Sequence, residues 1–235
     1  MENHRRKTVW VVLAIAGFIS CKREVVKQSQ NPKKYENKLG DSTELYFPVV
    51  ALADTIEKTQ NPNDTAFINS FPQGIDGYVS HGINVWYSKQ MKAMKLPIIK
   101  SSRSPVIRFT WLRTFHHPIS VELKKNASTV ELTGIQMSGA GGYEPGEVDS
   151  VVIKSVSTSK WDSIEQEINR TSFWQLASKR KRGGTDGAEW ILEVAGKTKY
   201  HFVTQWCPTK NDAIRKIELE LIELAGFYIP PRDIY

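Results

Sequence analysis

The residue types that could do chemistry gather in two short stretches, WLRTFHHPI (111–119) and GAGGYEPG (139–146). Arg113 is the most informative of them, because it falls on the apolar face of a predicted strand. A buried charge is costly unless it is paired. Arg113 is therefore a candidate binding residue for an anion or carboxylate at the edge of the sheet. Two alternatives stay open: a structural ion pair with Glu144 or Glu193, and a strand end that emerges from the core.

Three more side chains in these stretches are candidates for ligand binding, namely His116, Tyr143 and Glu144. His116 is followed directly by His117, and adjacent residues of an extended chain point to opposite sides. Without a distorted turn, the two histidines therefore cannot both hold one metal ion, and a zinc site needs three or four ligands. We expect a turn in which one histidine is hydrogen-bonded to backbone, and no metal site.

The glycine-rich stretch 139–146 lacks the features of a phosphate-binding loop. Such a loop needs a Lys followed by Ser or Thr, and a helix whose N-terminus faces the phosphate. Here an acidic, strand-like segment follows instead, EVDSVVI. The glycines predict a wide hairpin loop with residues at positive φ. Tyr143 and Glu144 at its tip are placed where they could touch a ligand.

The sequence shows no catalytic constellation. There is no Ser-His-Asp order and no nucleophile elbow. Glu189 and Glu193 would lie about 13 Å apart on one strand, too far for a glycosidase pair. Cys207 follows Trp206 and is typical of an inert, part-buried thiol. We therefore expect no cofactor, and a binding protein rather than an enzyme.

Six predicted strands and three predicted helices have to position these residues. The strands alternate apolar and polar residues, and their short connections favour antiparallel pairing. The alternation places Trp111 and Phe115 on one apolar face of the first strand, and the strand positions of Trp111 and Trp190 are typical of the core. Their predicted ranges are 106–115, 119–125, 129–137, 149–157, 188–194 and 198–206. Helices are predicted over 82–97, from an N-cap at Ser159, and from residue 211 or 212 to a stop at Gly226. This order predicts an α+β, two-layer domain, with a mostly antiparallel sheet and helices packed on one face.

The first 20 residues predict a secretory signal peptide. A positively charged start is followed by an uncharged run, TVWVVLAIAGFIS (8–20). As a helix this run would be roughly 20 Å long, which is too short for a bilayer core of about 30 Å. A charged start, a short apolar middle and small residues near the end are typical of a cleaved signal peptide.

The end of that run, FISC (18–21), resembles the lipobox of bacterial lipoproteins, in which a small residue precedes the cysteine that receives the lipid. Ser20 and Cys21 match, whereas Phe18 stands where leucine is more usual. The resemblance implies cleavage before Cys21 and attachment of more than one acyl chain, which stable anchoring requires. Lys22 is not the aspartate associated with inner-membrane retention, which favours the periplasmic face of the outer membrane. The alternative is an ordinary signal peptide followed by a chance cysteine.

The rest of the chain divides into a tether and one domain. Residues 21–45 are polar, lysine-rich and aperiodic, which is typical of a flexible tether. Residues 46–235 are long enough for a single globular domain with one core. The formal net charge of the chain is +7. Because this charge is not concentrated on one helix, nucleic acid is not an expected partner.

Four stretches together resemble a family of bacterial proteins, many of them lipoproteins, for which no activity is known. They are WLRTFHHPI (111–119), GGYEPG (141–146), DGAEWILE (186–193) and YHFVTQWCP…LIELAG (200–226). The resemblance extends over residues 75–235. It implies a recurring periplasmic or surface domain and brings no mechanism with it.

These observations lead to two hypotheses about function. The first is a lipid-anchored protein of the bacterial cell envelope that acts as a binding module, held to the membrane by Cys21 and contacting an envelope protein or glycan. The alternative is an envelope hydrolase acting on cell-wall or glycan material with Arg113, His116 and Glu144. The second hypothesis requires these three side chains to converge on one pocket.

Overall fold

Six strands form a single antiparallel sheet in the computed structural model of the protein. The structure describes residues 45–47, 74–99, 102–178 and 184–235, with backbone alone for 74–81, and all of them lie in one compact unit. The strands are β1 (Val106–Arg113), β2 (Ile119–Lys125), β3 (Val130–Met137), β4 (Val148–Val156), β5 (Ala188–Ala195) and β6 (Tyr200–Trp206). Their order across the sheet is β4-β3-β2-β1-β5-β6. β1 to β4 follow one another as a meander, and β5 returns to pair with the free side of β1.

The described part of the chain also forms three α-helices, α1 (Gly74–Ala93), α2 (Thr158–Arg170) and α3 (Ala213–Ala225). α2 begins after Ser157, whose side-chain oxygen accepts a hydrogen bond from a first-turn amide, so the prediction of an N-cap at Ser159 was wrong. α3 begins after Asp212, which caps it in the same way, and Gly226 ends it, so both ends are as predicted. Gly226 has a φ of 85°. A left-handed φ of this kind favours glycine, because it has no Cβ to clash with the backbone.

One face of the sheet packs against α2 and α3. The large aromatic residues of the central strands lie in this core, including Trp111 and Trp190, whose ring centroids are 4.4 Å apart. The prediction that these two tryptophans belong to the core is confirmed. Large buried aromatic side chains supply much of the hydrophobic stabilisation of a small domain.

The other face of the sheet packs against α1. Tyr87 and Met91 of this helix belong to one buried cluster with Leu112 of β1, Ile191 of β5 and Phe202 of β6. β1 and β5 are buried along their whole length, because they are central strands and helices cover both faces of the sheet. The α+β class and the antiparallel sheet are confirmed, and α1 adds a layer on the face opposite to the other two helices.

β1 ends at Arg113, two residues before the end of the predicted strand. The chain turns there, and the Thr114 amide donates a hydrogen bond to the Gly187 carbonyl at 2.8 Å. Phe115 was predicted to share the buried face of Trp111. It is 58% exposed, because the turn takes it away from the sheet before the alternation can place it in the core.

Cys21, the predicted signal peptide and nearly all of the predicted tether lie outside the described residues. Within the described ranges, no helix combines the length and the apolar character that crossing a membrane requires. The lipid anchor therefore stays a prediction from the sequence.

Candidate functional site

The two stretches that carried the predicted site residues lie against each other. We call residues 114–118 the histidine turn and residues 138–147 the glycine loop. Backbone hydrogen bonds join them, from the Gly141 amide to the His116 carbonyl (3.1 Å) and from the Gly142 amide to the Thr114 carbonyl (3.3 Å). His117 Nδ1 donates to the Gly139 carbonyl at 2.8 Å, so the expected histidine–backbone hydrogen bond is present.

The glycine loop needs its glycines chiefly for close backbone approach. A Cβ on Gly141 would lie 2.6 Å from the amide nitrogen of Arg113, a distance that side chains do not tolerate. Among the glycines of this loop, only Gly146 has a positive φ, of 72°. The predicted wide loop is present, but the physical reason differs from the expected one, because contact with β1 excludes a side chain at Gly141.

Two side chains of α1 also hold the glycine loop. Gln90 Nε2 donates to the Gly141 carbonyl at 3.1 Å and to the Tyr143 carbonyl at 3.2 Å. Lys89 forms an ion pair with Glu144, with 2.5 Å between Nζ and Oε1. This pair is largely exposed, and exposed pairs contribute little stability. The loop is therefore fixed mainly by hydrogen bonds to its backbone, from the backbone of the histidine turn and from the Gln90 side chain.

Two large aromatic side chains stand exposed where the histidine turn and the glycine loop meet. Phe115 is 58% exposed and Tyr143 is 60% exposed. Their ring centroids lie 6.3 Å apart, with 37° between the ring planes. We call Phe115 and Tyr143 the aromatic pair. Hydrogen bonds to the backbone of the histidine turn and of the glycine loop fix the positions from which the two rings project.

Arg113 is buried at the end of β1, with 4% of the residue exposed. Its guanidinium carbon lies 4.7 Å from the centroid of the Trp111 ring, and one Nη donates to the His117 carbonyl at 2.9 Å. Its Nε atom is buried without a hydrogen-bond partner. Burial lowers the pKa of Arg113, and the neighbouring Tyr235 and Asp233 oppose that change.

Neither predicted ion pair of Arg113 is formed. Glu144 pairs with Lys89 and Glu193 pairs with Arg108. Among the described residues, no carboxylate lies within salt-bridge distance of the Arg113 guanidinium. The arginine is held by an aromatic ring and a carbonyl oxygen instead.

His116 contacts two residues that the sequence did not single out. Its Nδ1 shares a hydrogen bond with the Tyr235 hydroxyl at 2.6 Å, and its Nε2 lies 3.8 Å from Asp233 Oδ1. The Trp190 indole also donates to the Tyr235 backbone oxygen at 2.8 Å. Residues 227–235 therefore cross the end of β1. No periodic pattern in this short segment could have predicted the contact.

A second buried arginine, Arg108, lies at the centre of an ion cluster on the face that packs against α1. It is fully buried and pairs with Glu122 at 2.6 Å and with Glu193 at 3.3 Å. The Tyr200 hydroxyl donates to Glu193 at 3.0 Å, and an Arg108 Nη donates to the Pro97 carbonyl at 2.8 Å. Every contact of this cluster is internal, so we assign it a structural role. We call Arg108, Glu122, Glu193 and Tyr200 the arginine cluster.

The pKa values of the arginine cluster follow from burial and from the mutual contacts. Burial lowers the pKa of Arg108, but the charges of Glu193 and Glu122 outweigh it and the net direction is upward. Burial raises the pKa of Glu193, against the opposing influence of Arg108 and Tyr200. Burial and the charge of Glu193 raise the pKa of Tyr200. The sequence could not reveal this cluster, because its members lie on four different strands.

Cys207 follows β6 directly, and two grooves lie beside α3. Burial raises the pKa of the Cys207 thiol, whose sulfur accepts a hydrogen bond from the Ala188 amide at 3.2 Å. One groove of about 390 Å³ lies between α3 and residues 226–234, and another of about 340 Å³ lies beside the start of α3. Within the described ranges, no group of His, Cys, Asp or Glu side chains is arranged to hold a metal ion.

The predicted site residues therefore divide into two groups. Arg113 and His116 both neighbour Asp233 and Tyr235, whereas Glu144 is exposed and contacts Lys89 of α1. Comparison with models of known protein families, with curated proteins and with solved structures found no match. The resemblance to a bacterial lipoprotein family, and any role for these residues in ligand binding, stay predictions.

Proposed function

We propose that the protein is a lipid-anchored binding module of the bacterial cell envelope, held to the membrane through Cys21 and contacting its ligand through the aromatic pair. The lipobox resemblance at residues 18–21 supports the anchor. The exposure of Phe115 and Tyr143 on a hydrogen-bonded surface is the observation that carries the binding role. The outer membrane is the favoured location, because Lys22 follows the cysteine.

Exposed aromatic rings of this kind are typical of interaction surfaces. Large apolar side chains that meet at the surface mark binding sites more often than single exposed ones, and aromatic residues are enriched where interfaces bury most. Polar side chains lie on the same segments: Glu144 follows Tyr143 and pairs with Lys89, and His117 lies two residues after Phe115. We call Lys89, Glu144 and His117 the polar rim. A surface that is already ordered loses little conformational entropy on binding.

An envelope glycan is the ligand class that this surface fits best. An aromatic ring offers a flat apolar face with a negative quadrupole, on which the C–H face of a sugar can stack. Phe115 and Tyr143 present two such faces, inclined by 37°, and the polar rim offers hydrogen bonds to hydroxyl groups. An envelope protein as partner is the other outcome of the binding test.

The hydrolase hypothesis gains no support from the contacts of its residues. It required Arg113, His116 and Glu144 to converge on one pocket. Arg113 is buried on Trp111, and Glu144 is engaged with Lys89 on the side of α1. A general acid or base has to reach the reacting atoms of its substrate, and these contacts direct the side chains apart.

The anchor is tested by Cys21→Ser in the full chain, expressed in a bacterium that processes lipoproteins. We expect the variant to leave the membrane fraction or to accumulate unprocessed, because the sulfur that carries the lipid is gone. Cys207→Ser is the matched control and should remain in the membrane fraction. Unchanged membrane attachment of Cys21→Ser would contradict the anchor.

The binding surface is tested by co-sedimentation of the full chain with purified peptidoglycan sacculi. We expect Phe115→Ala/Tyr143→Ala to weaken binding by about tenfold or more, because removing central aromatic contacts typically costs more than 1 kcal/mol each. Tyr228→Ala is the matched control, since Tyr228 is 83% exposed in another segment. Equal loss in the control would contradict the aromatic pair as the site. If the chain does not bind sacculi and captures envelope proteins instead, the proposal that the ligand is a glycan is contradicted.

A further inference from the structure

The two edge strands of the sheet differ in how far other described segments of the chain cover them. β6 is covered by the segment that follows α2, where the Thr204 amide donates to the Ser178 carbonyl at 2.6 Å. His201 also hydrogen-bonds to the Leu176 carbonyl at 2.9 Å, and its ring packs edge-on against Phe173 at 5.1 Å. An edge strand that is covered in this way has few free backbone groups for another chain.

β4, at the opposite edge, has no such cover in the described part of the chain. It is nine residues long and contains no proline. In the described sheet it pairs with β3 alone. An edge strand presents unpaired amides and carbonyls along its free side, and a long one without proline or a bulge in its middle is suited to pairing with another strand. Such strand addition is a common mode of recognition.

The side chains of β4 also favour pairing with another strand. Val151 and Ile153 are 52% and 67% exposed. Both point to the face opposite α2 and α3, since their cross-strand partners Ile135 and Thr133 lie on that face. Two exposed β-branched residues at alternate positions of an edge strand form an apolar strip that the described part of the chain leaves open to a partner.

A second copy of the chain fits this strip. If two β4 strands pair antiparallel about a two-fold axis through Val152, then Val151 of one copy lies opposite Ile153 of the other. The two apolar strips then meet on both sides of the axis. Directly opposite residues on an antiparallel pair share one face and contact each other, so each copy covers the apolar residues of the other.

The charges of β4 also allow this arrangement. In the same register Asp149 lies opposite Ser155 of the second copy, and Lys154 lies opposite Ser150 of the second copy. No two like charges are therefore directly opposed, which in cross-strand pairs would be destabilising. We propose that the chain self-associates through β4, with Val152 on a two-fold axis, so that two sheets join into one.

Such a contact closes a symmetric dimer, because the same strand serves both copies. A single strand-to-strand contact buries less surface than a standard interface, so the affinity is expected to be modest. Because β6 is covered, another strand can add to the described sheet at β4 but not at β6. Two copies therefore complete the assembly without forming a fibre.

The test is the mass of the full purified chain by sedimentation equilibrium, up to about 100 μM, where a micromolar affinity is readily detected. We expect the mass to rise from one chain to two. Val151→Lys/Ile153→Lys places lysines opposite each other and should return the mass to that of one chain. Val151→Glu/Ile153→Lys places Glu opposite Lys in the proposed register and should restore the dimer.

Two controls separate the register from general effects. Tyr228→Lys adds a charge at another exposed site and should leave the dimer intact. All variants should keep the unfolding midpoint of the unmodified chain, because exposed substitutions change stability little. A mass of one chain at every concentration would overturn the proposal. So would a dimer that persists in the double-lysine variant, or a Glu/Lys variant that stays monomeric.

Discussion

The two buried arginines of β1 stand in opposite electrostatic surroundings. Arg108 lies between two carboxylates, whereas Arg113 has an aromatic ring and a carbonyl oxygen as its partners. The sequence drew attention to Arg113, because it interrupts an apolar face, and passed over Arg108. The comparison teaches that a buried charge does not by itself mark a binding site. What matters is which groups the neighbouring strands place beside it.

The register of the sheet explains the difference between the two arginines. Arg108 lies directly opposite Glu122 on β2 and Glu193 on β5. Arg113 lies opposite Ala188 on β5, and on its other side the pairing with β2 has already ended. Cross-strand neighbours are close enough for an ion pair, so only the first position is neutralised by carboxylates.

The largest effect in this comparison is expected for Arg108→Met. The substitution leaves Glu122 and Glu193 without their cation in the interior, and removing one partner of a buried pair costs about 3–5 kcal/mol. Urea unfolding of the full chain measures this loss. Adding Glu122→Leu and Glu193→Leu should recover much of it, because no buried charge remains. A loss below about 1 kcal/mol for Arg108→Met alone would mean that the cluster behaves as an exposed ion pair.

A smaller effect is expected for Arg113→Met. The substitution removes one hydrogen bond to the His117 carbonyl and the contact with the Trp111 ring, together worth about 1–2 kcal/mol. It leaves no carboxylate unpaired, and a flexible apolar side chain of similar length can fill the space. The same urea experiment compares the two arginines directly. A loss as large as that of Arg108→Met would contradict the assignment of Arg113 to an environment without a salt-bridged carboxylate.

The sequence predicts the strands well, because alternation is a local signal with a period of two residues. All six strands occur close to their predicted ranges, and the buried tryptophans follow from the same alternation. The errors lie at the ends of elements, where an error of two residues changes the role assigned to a side chain. Phe115 was placed in the core because the predicted strand continued past Arg113, and the N-cap of α2 was placed at Ser159 instead of Ser157.

The surroundings of the candidate site were harder to predict than its members. The histidine turn and the glycine loop are in contact, but the roles of Asp233 and Tyr235 depend on a terminal segment without periodicity. The arginine cluster depends on the register between strands that are far apart in sequence, such as Arg108 and Glu193. A single sequence does not determine such pairings, whereas it does determine which residues alternate.

The smallest and most specific effect is expected for the pH dependence of Glu193→Gln. Burial raises the pKa of Glu193 in the folded state, although Arg108 and Tyr200 oppose this. The unfolded chain therefore releases this proton first, near its ordinary pKa of about 4.3. As the pH rises from there towards the folded pKa, the native state holds more protons than the unfolded state, so stability is lost.

Glutamine does not titrate, and it keeps one oxygen to accept from Tyr200. At low pH the substitution should cost no more than about 1 kcal/mol, the net value of a typical hydrogen bond. The difference in unfolding free energy between the unmodified chain and Glu193→Gln should then shrink as the pH rises through the window. Urea unfolding at a series of pH values measures it. A difference that grows with pH would show that attraction to Arg108 outweighs burial, and the two arginines would then differ more than the structure indicates.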